Sequence, residues 1–245
     1  MTGLSDEICG AQPVASAPWL EAKLARERVE GKSIMAKNSL ICGVAFAFMT
    51  ISAGAQAQTI VDEWAGIKLP APPALKAAKV DPKTTALLLF DFTHQTCSQE
   101  RRPRCAASAP KLKKLLDDAR ANNMYVVWSV ATADSKPADI LPEIAPRAGE
   151  PVLPSLGPNK FIKSDFEKML RDKGVTTVII TGTAAHTTVL HTGGEAALRG
   201  FKVIAPVDAM SSNDQFTEAY TAWHLANAAR VMNATTLTRV DMITY

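Results

Sequence analysis

Residues Val175–Gly200 read VTTVIITGTAAHTTVLHTGGEAALRG, and this stretch decides the fold. Six residues dominated by the β-branched type, Val175 to Ile180, predict a strand buried on both faces of a parallel sheet. A turn follows at Thr181-Gly182-Thr183, then small residues, then Thr187 to Leu198, whose apolar spacing suits a helix. A strand, a glycine turn and a helix start place backbone N–H groups at the carboxyl end of a sheet. Ligands of open α/β sheets bind there.

The flanking chain repeats the alternation. TTALLLFDF, from Thr84, is a continuous apolar strand ending in Asp91 and Phe92. Ser108 is expected to cap a helix carrying Leu112, Leu115, Leu116 and Ala119 at i, i+3, i+4 and i+7, and Tyr125 to Val130 (YVVWSV) is the next strand. Between Ala133 and Pro158 six prolines interrupt any period, which predicts a long loop with short helical pieces. Ser164-Asp165-Phe166-Glu167 reads as a capping box opening a helix that stops at Gly174. Lys202 to Val207 is another strand, Ser212-Asn213-Asp214-Gln215 can cap a helix running to about Ala229, and Thr235 to Tyr245 supplies the last strand. The class is therefore α/β, a three-layer αβα arrangement around a mostly parallel, Rossmann-like sheet.

This order of features resembles the isochorismatase-like (cysteine hydrolase) superfamily. In that family a strand ending in Thr-Gly leads to a nucleophilic cysteine at a helix start, an aspartate ends the first strand, and a lysine follows a weak strand in mid-chain. The resemblance covers roughly Thr84 to Tyr245. It puts the aspartate on Asp91 and the lysine on Lys160, in NKFIKSDF, with Lys163 as a competitor one turn on. At the cysteine position stands Thr188.

A carboxylate and an ammonium at the ends of neighbouring strands form a coupled pair able to act as an acid/base centre. Taken alone, Asp91 can equally be a turn cap, and Lys160 a solvated surface charge. A cysteine at position 188 would attack as a thiolate. A threonine hydroxyl is far less acidic and needs a strong base, so Thr188 is either a nucleophile with such help or a hydroxyl lining the pocket or bonding the turn. Superfamily members without the cysteine hydrolyse a vinyl ether with the aspartate as general acid and water as attacking group. The resemblance thus implies a hydrolase of a small molecule, cleaving a C–O vinyl ether or C–N bond without a thiol. The alternative is a binding protein of the same fold that has lost turnover.

Around this centre, Thr183 and His186 fall in the turn where donors to a developing oxyanion would sit, and His186 can equally bond a backbone carbonyl. Arg101 and Arg102, in the run Glu100 to Arg104, can present guanidinium groups to a carboxylate substrate or simply be solvated. The nicotinamidases of the superfamily bind metal through an Asp-x-His pair. Asp91 is followed by His94 instead, and no metal and no other cofactor is expected. Thr93 stands where many relatives have glutamine.

Ahead of this domain, Met35-Ala36-Lys37, the apolar run Leu40 to Met49 and Ala55-Gln56-Ala57 have the pattern of a secretory signal with cleavage after Ala57. The expected division is a leader over 1–57 (a start assigned too early plus a signal peptide over 35–57), an N-terminal arm over 58–83 and the hydrolase domain over 84–245. The competing reading of the leader is a polar tail on a cytosolic protein. The apolar run is shorter than the ~20 residues a bilayer span needs, so no stable membrane insertion is expected. The formal charge of +3 is too small to argue for a nucleic-acid partner. Export, to the periplasm or the medium, leaves Cys97 and Cys105. Eight positions apart, they point to a disulfide closing a surface loop, with a reactive thiol at Cys97 as the alternative. Trp223-His224 is core or subunit interface, and the resemblance implies a homo-oligomer.

Overall fold

The computed structural model describes residues 59–155 and 157–245, so the leader reading over 1–57 lies outside the described residues. The chain divides into two compact units at Ala65/Gly66. In the first, the described residues form one helical turn, Ile60–Glu63, capped by Thr59. The second carries everything below.

Its centre is a parallel sheet. The strands are β2 (Thr85–Phe90), β3 (Tyr125–Ser129), β4 (Val152–Leu153), β5 (Thr177–Thr183), β6 (Lys202–Pro206) and β8 (Thr235–Thr238). They lie in the order β4-β3-β2-β5-β6-β8, while β7 (Met210–Ser211) pairs with the end of β5. A two-stranded parallel ribbon joins β1 (Ala78–Lys79) to β9 (Ile243–Thr244). The fold is the expected α/β sheet covered by helices on both faces.

The alternation of side chains along β2 explains why its sequence is an unbroken apolar run. Ala86, Leu88 and Phe90 enter a core with Ile180, Phe166, Leu170, Val189, Ala196 and Leu225. Leu87 and Leu89 enter the opposite core with Leu112, Leu115, Leu116 and Trp128. Helix α1 (Pro103–Ala121) therefore covers one face, while α2 (Phe166–Asp172), α3 (Leu190–Leu198) and α4 (Gln215–Asn227) cover the other.

Four local expectations are corrected. Helix α1 begins at Pro103, five residues before Ser108, because proline at the first helical position is preorganised for a helix. Ser108 lies inside it and donates to the Cys105 carbonyl at 2.7 Å. The Ser164–Glu167 capping box does not form: Ser164 donates to the Lys160 carbonyl at 2.6 Å, and Glu167 instead pairs with Arg199 and Arg171. Strand β5 runs through the expected turn at Thr181-Gly182 and ends at Thr183, because Thr181 and Gly182 stay paired with Leu89 and Phe90 of β2. Helix α4 is capped from within the expected stretch, by Asp214, whose carboxylate accepts from the Thr217 N–H at 2.9 Å, which leaves Ser212 free for another task. The last strand is broken by a turn at Val240–Met242, after which β9 leaves the main sheet for β1. The proline-rich loop holds two short 3₁₀ turns, Pro137–Asp139 and Pro142–Ile144, as expected, and also the edge strand β4.

Candidate active site

The carboxyl ends of β2, β3 and β5 open onto a cavity of about 460 Å³ lined by Asp91, Arg102, Thr132, Thr183, His186 and Asn213 among others. Asp91 follows the last residue of β2 directly and turns the chain with φ 65°, the left-handed region that short polar residues such as aspartate tolerate best. The conformation is held from both sides: the Asp91 N–H donates to the Ser129 carbonyl at 3.1 Å, and its carbonyl accepts from the Thr96 hydroxyl at 2.5 Å.

Its carboxylate accepts three hydrogen bonds. Lys160 Nζ donates to Oδ1 at 2.9 Å and to Oδ2 at 3.1 Å, and the Ser129 hydroxyl donates to Oδ1 at 2.6 Å. Oδ1 thus takes two donors and Oδ2 only one. The third ammonium hydrogen of Lys160 goes to the Gly157 carbonyl at 3.0 Å, from a glycine with φ +79° that a larger residue would adopt only with strain. The Lys160 side chain is 1% exposed and that of Asp91 11%, so the pair is desolvated on one side and reachable on the other. The Lys160 N–H is anchored in turn by Thr192 Oγ1 at 3.2 Å. Lys163, the sequence competitor, is exposed.

The same cavity holds a cation, Arg102. Arg102 donates through Nε to Asn213 Oδ1 at 2.7 Å and through a terminal nitrogen to Thr183 Oγ1 at 2.6 Å. Burial pulls its pKa below the ordinary guanidinium value, helped by the neighbouring charge of Arg101 and opposed by Asp91. No carboxylate is salt-bridged to Arg102 among the described residues. Arg101 itself is exposed and does not line the cavity. Arg102 is carried on the loop between Asp91 and α1, which a Cys97–Cys105 disulfide closes with a Cα separation of 5.2 Å; both cysteines are buried. In this structure Cys97 therefore presents no free thiol to the cavity.

His186 sits in the turn Ala185–Val189 that joins β5 to α3, following a cis peptide between Thr183 and Ala184. Its Nδ1 lies 3.0 Å from Ser212 Oγ, a side chain, where a backbone carbonyl was the expected alternative. Thr188 is 1% exposed and does not line the cavity. Its hydroxyl has no hydrogen-bond partner among the described residues, and its methyl packs so close to Gly182 that a Cβ there would meet it at 2.7 Å. His94 stands apart on the surface, 3.9 Å from Asp139.

Of the residues marked by sequence patterns, Asp91, Arg102, Thr183 and His186 line one cavity, and Lys160 is buried and bonded to Asp91. The patterns missed Ser129, Ser212, Asn213 and Thr96. Ser129 carried a faint signal, as the polar residue at the carboxyl end of an otherwise apolar strand; Ser212 and Asn213 were hidden by their plausible role as helix caps.

The sequence pattern of the isochorismatase domain matches residues 85–238, more than half of the chain. The chain belongs to the isochorismatase family. Among the relatives of this isochorismatase-family chain is the secreted isochorismatase effector Isc1 of Verticillium dahliae, 31% identical over 117 residues, which are 44% of this chain and 62% of the effector. The chain thus spans less than two thirds of that relative's length. Among solved structures, a cysteine hydrolase from Pseudomonas syringae pv. phaseolicola superposes with a TM-score of 0.59 at 18% identity, over 69% of this chain and 94% of that one. N-carbamoylsarcosine amidase from Thermoplasma acidophilum superposes with a TM-score of 0.55 at 21% identity, over 64% and 97% of the two chains. At these identities the structures establish the fold alone.

Proposed function

We propose that this isochorismatase-family chain is a hydrolase of a small carboxylated molecule, working by acid/base chemistry at the Asp91–Lys160 pair with water as the attacking group. The observation that carries this reading is the buried pair itself, bonded at 2.9 and 3.1 Å and open to the cavity through Asp91. Two coupled groups hold one mobile proton between them, as ammonium facing carboxylate or as amine facing carboxylic acid. The second form is the acid.

On a vinyl ether, the acid form delivers its proton to the terminal carbon of the double bond. Water adds to the oxocarbenium carbon and returns a proton to the pair, and the hemiketal then breaks its C–O bond to release an alcohol and a ketone. On a C–N bond the same pair takes the proton from water as it attacks and gives it to the leaving nitrogen. Neither route needs a side-chain nucleophile. Thr188 lacks one requirement of that role in any case, since no base lies within bonding distance of its hydroxyl among the described residues.

Substrate charge follows from Arg102. Lys160 is neutralised by Asp91, whereas Arg102 is half-buried, cationic and free of any carboxylate partner among the described residues. A carboxylate is the ligand that satisfies it. Export of the chain by a leader ending at Ala57 fits the buried disulfide and the secreted relative.

The test is hydrolysis by the full chain of carboxylated enol ethers, amides, ureas and esters, beside their methyl-ester counterparts and beside Asp91→Asn. Turnover of the free acids, lost in Asp91→Asn, is the expected result. The second reading, a binding protein without turnover, is favoured by the lack of any free cysteine among the described residues. It is supported instead if none of these bonds is cleaved while carboxylates raise the melting temperature.

A further inference from the structure

Ser212 enters neither the acid/base pair nor the contacts of Arg102, yet it is fully buried beside the cavity. Its hydroxyl oxygen accepts the Ala185 N–H at 3.1 Å and lies 3.0 Å from His186 Nδ1. Those are its only side-chain partners among the described residues. A hydroxyl has one hydrogen to give. Since the Ala185 amide is a donor, the one acceptor available to that hydrogen is Nδ1.

We infer that Ser212 is a positioning residue that fixes His186 in the Nε2–H form, making the imidazole a hydrogen-bond donor on the cavity wall. The opposite tautomer would have Nδ1–H pointing at the serine oxygen. That would leave the buried hydroxyl hydrogen with no acceptor, the costly arrangement for a buried polar group. Nε2 has no protein partner among the described residues, on a side chain that lines the cavity. The backbone of Ser212 is held as well: its N–H donates to Glu218 Oε1 at 2.8 Å, and that carboxylate is itself paired with Arg104. Arg104, Glu218, Ser212 and His186 thus form one chain of contacts running from the surface into the cavity.

The consequence concerns which atoms of a substrate can face this wall. With Nε2–H and the Arg102 guanidinium both donating, the wall accepts oxygen acceptors: a carboxylate, or the oxygen on which negative charge develops during hydrolysis. A neutral nitrogen donor has no partner there. The inference rests on reading this cavity as the active site, but its test does not depend on turnover.

The experiment is long-range ¹H–¹⁵N correlation spectroscopy of the imidazole rings in the full chain, run about two units above the ordinary histidine pKa of ~6.5 so that neutral rings are observed. The His186 signals are assigned by their loss in His186→Gln. The expected pattern for His186 is Nε2–H in excess of Nδ1–H by about tenfold or more. A dominant Nδ1–H pattern in the wild-type chain overturns the inference without recourse to any variant. In Ser212→Ala the tautomer ratio is expected to fall to within about threefold of unity, and Ser212→Thr, which keeps the hydroxyl, to restore it. An unchanged ratio in a folded Ser212→Ala protein also overturns it. Titration with benzoate, a carboxylate probe, separates this inference from the functional one. Benzoate that shifts Nε2 in wild type and binds at least about fivefold more weakly to Ser212→Ala supports both. Absence of benzoate binding with the Nε2–H pattern intact counts against the carboxylate reading and leaves the positioning role of Ser212 supported.

Discussion

Lys160 and Thr188 are buried alike, each 1% exposed, yet they are held in opposite ways. The Lys160 ammonium spends its hydrogens on Asp91 and on the Gly157 carbonyl, its backbone N–H is taken by Thr192 and its carbonyl by Ser164. Thr188 has a methyl wedged against Gly182 and a hydroxyl bonded to nothing among the described residues. A polar atom in a folded interior is ordinarily bonded because leaving it unbonded costs about 1–3 kcal/mol. Where the chain holds a charge by four separate contacts, geometry is being kept. Where it leaves a hydroxyl orphaned beside a close-packed methyl, volume is being kept. Under the function proposed above, the chemistry belongs to the Asp91–Lys160 pair and Thr188 has a packing role.

The largest effect should come from breaking the well-held side. Lys160→Met leaves the Asp91 carboxylate without its ammonium, and a loss of about 3–5 kcal/mol is expected from denaturant unfolding, the range for stripping one partner from a buried pair. Asp91→Asn together with Lys160→Met removes both charges while keeping a residue that tolerates the left-handed φ, and should recover much of that loss. If the double variant is no more stable than Lys160→Met alone, the pair is not the coupled unit described.

Next in size is the disulfide that ties the Arg102 loop to α1. Replacing Cys97 and Cys105 by serine is expected to cost about 2–3 kcal/mol, the loop-entropy value for so short a ring. Carboxylate binding should weaken further than that of the matching methyl ester, because the loop freed is the one that carries Arg102. Equal weakening of both would show that the disulfide supports the fold without aligning the guanidinium.

A smaller effect tests the packing side. Gly182→Ala puts a Cβ 2.7 Å from the Thr188 methyl and 3.0 Å from a Val189 methyl, so a loss of about 1–3 kcal/mol is expected. Thr188→Ser removes the nearer methyl and should relieve part of it in a double-mutant cycle. Additive losses would mean that the Thr188 methyl is not the obstacle.

How much of this could be read from sequence depended on whether the signal was local. The β-branched run at 175–180 and the apolar run ending in Asp91 are each properties of a few adjacent residues, and the structure forms a strand at each, with β5 shifted to Thr177–Thr183 so that it includes the expected turn. Ser129, Ser212 and Asn213 bond the site residues Asp91, His186 and Arg102 across 26 to 111 positions of sequence, so no local period marks them. Ser212 shows how a local reading misleads. Ser-Asn-Asp-Gln offers several capping residues, the helix uses Asp214, and the serine is spent on His186. Arg101 and Arg102 are adjacent and chemically equal in the sequence. Only the loop geometry sends Arg102 to Thr183 and Asn213 and leaves Arg101 outside. The helix start at Pro103 carried no Ser, Thr, Asp or Asn signal, since it is preceded by Arg102, which makes no side-chain cap bond.

The smallest effect is the most informative. Thr188→Val keeps the methyl against Gly182 and deletes the orphaned hydroxyl, so stability should be unchanged or raised by up to about 1–2 kcal/mol. The measurement that tests the central claim most directly is turnover of Thr188→Val beside Asp91→Asn, in the full chain, on the carboxylated substrate that the wild type hydrolyses fastest. The account expects Thr188→Val to retain wild-type turnover within about twofold, and Asp91→Asn to lose it by about 10²–10⁴-fold, the range for removing a general acid/base. Loss of turnover in a folded Thr188→Val protein, with Asp91→Asn still active, would contradict it and return the chemistry to position 188.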